Sequence, residues 1–383
     1  MPAFDFDQLI DRTQSSSEKW QKYAGTEILP LWVADTDFRS PPCVIEALQH
    51  RIDHGVFGYT DTPESLNRVF VERMQRLYQW QLQSEQLIWL PGLVCGLNLA
   101  VRAYCDENGV AMTATPIYPP FKSAPRLSNR EVITLPMHQA GEHQIIDFEA
   151  LEKTITKQTQ LLLFCNPHNP GGAVYRRAEL EQLAEIVVRH DLIICSDEIH
   201  CDLILEPDHH HTPIASLGPE IAARTITLMA PSKTWNIAGL GCSVAVIENT
   251  ELRKRFARTR KGIVPGVNLL GFTAAEAAYR NGDEWNRQQL QYLRANRDYL
   301  LEQINNIPGL SMPACEATYL AWIDASGLKL RSPHKFFEEA GVGLSDGSDF
   351  GDPQSVRLNF GCPRSRLEEA VRRMRHAVET LKL

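Results

Sequence analysis

The chain has 383 residues, 43% of them hydrophobic, and a formal net charge of −8, enough length and apolar content for a sizeable core that divides into two domains. The negative balance gives no long-range attraction to nucleic acid or to an anionic membrane, and no run approaches the roughly 18 apolar residues of a membrane helix. Nine cysteines without a C-x-x-C pair read as reduced thiols, and the acidic opening Met1-Pro2-Ala3-Phe4-Asp5-Phe6-Asp7 lacks the apolar stretch of a secretory signal, so a cytoplasmic protein is expected.

Taken in chain order, helical periodicity predicts a helix over 93–104, and apolar runs predict strands over 110–115, 131–135 and 160–165. A helix over 177–190 then leads to strands over 192–196, 225–229 and 242–247, and a helix over 251–261 whose basic run reads as a solvated face. The tract Asp208-His209-His210-His211 reads as a polar loop, since adjacent histidines do not converge on one ion from a regular element. From about 283 the pattern changes to a long polar helix over 284–305 followed by strand, helix and strand. Alternating strands and helices indicate an α/β fold. The expected division is a large domain over 46–282 and a small α+β domain made of 1–45 and 283–383.

In an open parallel sheet, ligands bind beyond the carboxyl ends of the strands. Three predicted strand ends are unusual. One reads Asn166-Pro167-His168-Asn169-Pro170-Gly171-Gly172, which alone is also an ordinary Asn-Pro turn. A second, Ser196-Asp197-Glu198-Ile199-His200, places carboxylates directly after a strand too apolar to be exposed, where an acid needs a cation or donors. The third, Ala230-Pro231-Ser232-Lys233-Thr234-Trp235-Asn236, puts a lysine in a short loop, a position that by itself suits a solvent-exposed side chain. Together they supply what a pyridoxal 5′-phosphate (PLP) site requires: Lys233 as the amine that carries the cofactor, Asp197 as the acid at the pyridine nitrogen, and a donor near the ring hydroxyl.

These segments, with Trp32-Val33-Ala34-Asp35-Thr36-Asp37-Phe38, Phe57-Gly58-Tyr59-Thr60, Pro116-Ile117-Tyr118-Pro119-Pro120-Phe121 and Arg357-Leu358-Asn359-Phe360-Gly361-Cys362-Pro363-Arg364, give the chain a resemblance over nearly its whole length. It resembles fold-type-I PLP enzymes, and within them the PatB/MalY-type carbon–sulfur β-lyases, commonly described as cystathionine β-lyases. The resemblance implies a large domain with a mostly parallel seven-stranded sheet between helices, and a homodimer with shared sites. By position it makes Lys233 the cofactor lysine, Asp197 the pyridinium partner, Asn169 the ring-hydroxyl donor and Tyr118 the ring that stacks on the pyridine. Backbone N–H groups of Leu93, Val94 and Cys95, the Ser232 hydroxyl and Tyr59 of the partner subunit would hold the phosphate. Arg357 would hold the substrate α-carboxylate, with Ala34 and Tyr319 beside it, although core packing accounts equally for Tyr319 and its neighbour Trp322.

Two departures from the aspartate-aminotransferase pattern are shared with the β-lyases. Gly241 stands where those enzymes carry a phosphate-binding arginine, and His200, taken as cofactor-binding, stands where they carry a tyrosine. Thr36 and Cys95 depart from the β-lyase pattern itself, which has methionine and proline there. The implied reaction is α,β-elimination of L-cystathionine or a related cysteine S-conjugate to thiol, pyruvate and ammonia. A class I/II aminotransferase and a non-catalytic PLP-sensing or protein-binding module are the alternatives.

Overall fold

The computed structural model describes residues 4–141 and 143–381, so Met1, Pro2 and Ala3 of the acidic opening lie outside the described residues. The strands are β1 (Leu29–Pro30), β2 (Leu87–Leu90), β3 (Val110–Thr115), β4 (Glu131–Ala140), β5 (His143–Ile146), β6 (Thr159–Cys165), β7 (Ile193–Asp197), β8 (Thr225–Met229), β9 (Ser243–Val246), β10 (Leu320–Asp324), β11 (Val342–Gly343), β12 (Ser345–Asp346) and β13 (Ser355–Asn359). Eight of them form one sheet in the order β2-β9-β8-β7-β6-β3-β4-β5. Strands β8, β7, β6, β3 and β4 run parallel, and β9 runs against both β2 and β8.

The sheet has eight strands against the seven expected. The extra one is β5, which returns on β4 as a hairpin; His143 and Gln144 make it too polar to stand out as a buried run. The central strands are buried along their length, as a sheet covered on both faces demands.

Helix Leu93–Tyr104 buries Leu93, Gly96, Leu97, Leu99, Ala100, Val101, Ala103 and Tyr104, most of its surface. Gly96 lets it settle on β8: a Cβ there would meet Leu228 Cδ2 at 2.9 Å. The start of this helix is thereby fixed beside the strand ends.

A second sheet, β10-β13-β12, is antiparallel and lies with the long helix Asp283–Asn305 and the helix Arg364–Thr380. Strand β1 pairs with β11. Leu31, Leu293, Leu320 and Leu367 share one buried cluster with Trp235 and Phe272. No helix among the described residues is long and apolar enough to cross a membrane.

The tract 208–211 is not wholly a polar loop. His211 is buried and its Nε2 lies 2.7 Å from Glu198 Oε2, because Glu198 is itself buried after β7 and needs partners.

Candidate active site

The ends of β6, β7 and β8 and the start of helix Leu93–Tyr104 open onto a cavity of about 920 Å³. Lys233, Asp197, Asn169, Tyr118, His200, Ser232, Leu93, Val94, Ala34 and Arg357 all contribute to its wall.

Lys233 is turned inward by the bend that follows β8. Its Nζ donates to the Ala34 carbonyl at 2.7 Å, and it forms no ion pair among the described residues. Burial draws its pKa down to about 8, with Arg357 adding to the effect and Asp35 and Asp197 opposing it. This is no solvent-exposed loop lysine.

Asp197 ends β7 and is buried. Its Oδ1 accepts one bond, from the Ile199 N–H at 3.1 Å. Burial pushes its pKa up to about 7, more than that donor and the Lys233 charge offset. Glu198 turns away from the cavity and is saturated by Ser196 Oγ at 2.8 Å, His211 and the Ile214 N–H at 3.3 Å.

Arg357, on β13, is buried and forms no ion pair among the described residues. Its Nη1 donates to Asn169 Oδ1 at 2.9 Å, and its Nη2 to the Trp32 carbonyl at 2.9 Å and to Ser345 Oγ at 3.2 Å. The guanidinium lies 4.7 Å over the Phe350 ring, and Nε has no partner. Burial lowers its pKa to about 10. Because arginine only donates, Asn169 presents its oxygen to Arg357 and keeps its Nδ2 as a donor. The Asn169 carbonyl also accepts the Tyr118 N–H at 3.1 Å, which ties the aromatic to the same turn.

His200 is buried with Nδ1 unpartnered. Burial, with the Lys233 and Arg357 charges, drives its pKa down to about 3. The imidazole is therefore neutral.

Helix Leu93–Tyr104 begins at Gly92 with no side-chain cap, which leaves first-turn N–H groups for an anion. Cys95 sends its Sγ back to the Gly92 carbonyl at 2.6 Å, so its side chain takes no part in the wall. Gly241 has φ +56°, and a Cβ on it would come within 2.8 Å of the Pro91 carbonyl. An arginine at 241 would have to displace the loop that precedes this helix.

Tyr319 stands behind the wall. Its hydroxyl donates at 3.0 Å to the Ala34 carbonyl, the same oxygen that holds Lys233. Trp322 packs on Phe350, with ring centroids 5.5 Å apart. Tyr59 is fully exposed and outside the cavity of its own chain. Residues further toward the N-terminus than the expected Ala34 also reach the site: Arg12, Ser17 and Glu18 line the cavity. The available signal was Asp35 and Asp37 inside an apolar stretch, which require cations; Arg12 and Lys19 supply them.

The donor set fits PLP: an amine without a counter-ion, a buried acid without a cation, an amide donor and an uncapped helix start all face one cavity. Residues 26–374 match the aminotransferase class I and II family. Cystathionine beta-lyase PatB of Bacillus subtilis (strain 168) is 34% identical over 386 residues, 98% of this chain and 100% of that protein. Among solved structures, OvoB matches with a TM-score of 0.97 at 53% identity, covering 99% of this chain and 100% of that one. Cystalysin from Treponema denticola, which contains a PLP cofactor, matches with a TM-score of 0.94 at 34% identity over 100% of both chains. With this coverage, the chain belongs to the class I and II aminotransferase family and, within it, to the PatB/MalY-type proteins.

Proposed function

We propose that the protein is a PLP-dependent carbon–sulfur β-lyase, a cytoplasmic homodimer acting on L-cystathionine or a related cysteine S-conjugate. With one water, the substrate gives a thiol, pyruvate and ammonia. The observation that carries the proposal is the meeting, in one cavity, of three buried or half-buried ionisable groups that form no ion pair among the described residues: Lys233, Asp197 and Arg357.

When bound, PLP supplies an electron sink for negative charge at the substrate α-carbon. The chain's own residues do the rest. Arg357 offers its unpartnered Nε, and Nη groups now held by neutral oxygens, to the α-carboxylate. That contact fixes the substrate so that its Cα–H points at Lys233. Lys233 Nζ, steadied by the Ala34 carbonyl, takes the Cα proton; a pKa near 8 leaves a useful neutral fraction at neutral pH. Asp197 would hold a proton on the ring nitrogen, a cation that would favour its ionised form. Asn169 Nδ2 would donate to the ring hydroxyl, Tyr118 would cover the ring face, and Ser232 with the turn at Leu93, Val94 and Cys95 would seat the phosphate. The thiolate then leaves Cβ, favoured because a thiol pKa of about 8.5 makes the departing anion comparatively stable.

The test is L-cystathionine with PLP and no keto acid. Pyruvate, ammonia and free thiol should appear in equal amounts through many turnovers. An aminotransferase would stop after one turnover per site and resume only when a keto acid is added, and that result would replace the β-lyase assignment.

A further inference from the structure

One carbonyl oxygen serves two donors at the centre of the site. Lys233 Nζ reaches the Ala34 oxygen at 2.7 Å, and the Tyr319 hydroxyl reaches the same oxygen at 3.0 Å. The elimination uses Lys233, but no step of it uses Tyr319, which lies behind the cavity wall.

The carbonyl and the phenol both stand on a fixed frame. The carbonyls on either side of Ala34, those of Val33 and Asp35, accept from Asn359 Nδ2 at 2.5 and 2.6 Å, and Asn359 Oδ1 accepts the Gly361 N–H at 2.7 Å. Tyr319 is buried, its own carbonyl accepts the Phe360 N–H at 2.9 Å, and a Cβ on Gly361 would come within 3.3 Å of its Cγ. The preceding Thr318 is fully buried with φ +73°, a left-handed conformation that strains a β-branched residue and persists only where the surroundings over-determine it. Here they do: its N–H donates to the Leu203 carbonyl at 2.8 Å, and its Oγ1 accepts the Leu320 N–H at 3.0 Å. Burial, helped by the Asp35 charge, raises the Tyr319 pKa, so the hydroxyl keeps its proton and stays a donor.

Resting on the β-lyase proposal for the role of Lys233, we infer that Tyr319 is a positioning residue for that lysine, a stand-in donor that lets Nζ leave the Ala34 carbonyl and regain it. A backbone carbonyl has two lone pairs, and a buried one left without a donor costs free energy. Lys233 gives up its bond whenever Nζ carries the cofactor, and regains it when Nζ stands free to take the Cα proton. With Tyr319 in place the oxygen is never orphaned, and the seat stays aimed while the amine is away. Sharing also loosens the hold on the amine, because two donors draw on the electron density of one oxygen. A looser hold on the ammonium leaves more of Lys233 neutral. Tyr319 therefore serves the lysine rather than the substrate.

Tyr319→Phe keeps the ring and removes the donor. In the apoprotein, the pH midpoint for trace acetylation of Lys233, read from the mass of its peptide, should move up from about 8 by roughly half a unit. PLP should bind the variant about tenfold more weakly, and kcat on L-cystathionine should fall about tenfold while KM stays within about twofold. A double-mutant cycle on the apoprotein separates this role from a merely structural one: Tyr319→Phe should raise the unfolding constant little where Lys233 is present, and about tenfold more in Lys233→Met, whose side chain fills the lysine's place without a donor. An unmoved or lowered midpoint, or an equal cost in both backgrounds, overturns the assignment. Labelling and the cycle involve no turnover. A wild type that yields no pyruvate from L-cystathionine without a keto acid therefore refutes the β-lyase proposal alone, and these two measurements still decide the role of Tyr319.

Discussion

Asp197 and Lys233 are each held away from their ordinary ionisation, and in opposite senses, by the same loss of water. For Asp197 a folded-state pKa near 7 against about 3.9 unfolded means that the folded chain keeps its proton while the unfolded chain loses it. Stability of the apoprotein should therefore fall as pH rises from about 4 to 7 and stay low above. Asp197→Asn removes that penalty, so the variant apoprotein should unfold at higher denaturant than wild type at pH 8, by roughly 2–4 kcal/mol, while retaining little β-lyase turnover. Equal unfolding midpoints at pH 8 would show that Asp197 is not strained. Lys233 gives a covalent test: borohydride treatment of the holoprotein should fix the cofactor on the peptide containing Lys233, and Lys233→Ala should abolish that mass shift. Arg357→Ala should lower kcat/KM roughly a hundredfold, because a buried bidentate carboxylate contact is lost together with its control of Cα–H direction.

At the scale of elements, the segment 12–20 is joined to the Trp32 motif by ions rather than by apolar packing. Burial would raise the Asp37 pKa, but Lys19, Arg366 and Arg12 outweigh it and hold the carboxyl below its ordinary value. A depressed carboxyl contributes stability that is present above its unfolded pKa near 4 and is lost as pH falls through the lower folded value. Asp37→Ala leaves Lys19 buried with only the partly exposed Asp35 as a counter-charge and should destabilise the fold by about 3–5 kcal/mol, read as a drop in the unfolding midpoint at pH 7. This cluster also marks the limit of what was legible in the sequence. Strands such as β3 and β8 could be read to the residue because they are buried along nearly their whole length. The same clarity drew attention to Asp197 at the end of β7 and to Asn169 and Lys233 in the loops after β6 and β8. Strand β5 and the role of Arg12 and Lys19 were not legible, since a half-exposed hairpin has no apolar run and an ion pair has no period along the chain.

For the whole molecule, the expected boundary at 45/46 falls inside the helix Pro42–His54, while the two sheets are separate in sequence. The eight strands of the main sheet all fall within 46–282, and the three of the second sheet within 283–383; we propose these as the PLP-binding domain and, with 1–45, the small domain. The loop between helices Pro42–His54 and Glu64–Tyr78 then needs a separate account. Val56, Phe57 and Tyr59 are exposed there, Phe57 touched by the Arg51 guanidinium 5.9 Å from its ring. Neighbouring apolar side chains left in water are the mark of a surface that another chain covers, and we propose that a second copy covers them and receives Tyr59 at its phosphate seat. If so, Tyr59→Phe should weaken PLP retention, measured as cofactor lost on dialysis, without lowering the stability of the isolated fold. The arrangement has a stronger consequence for mixtures. A Tyr59→Phe subunit still carries Lys233, and a Lys233→Ala subunit still carries Tyr59, so a hybrid dimer assembles one site with both residues intact. Mixing the two variants under conditions of subunit exchange should restore activity toward, at most, half of that of wild type per hybrid, where each variant alone is impaired. If hybrids are demonstrated by mass and no activity returns, Tyr59 acts within its own chain or not at all, and the shared site is excluded.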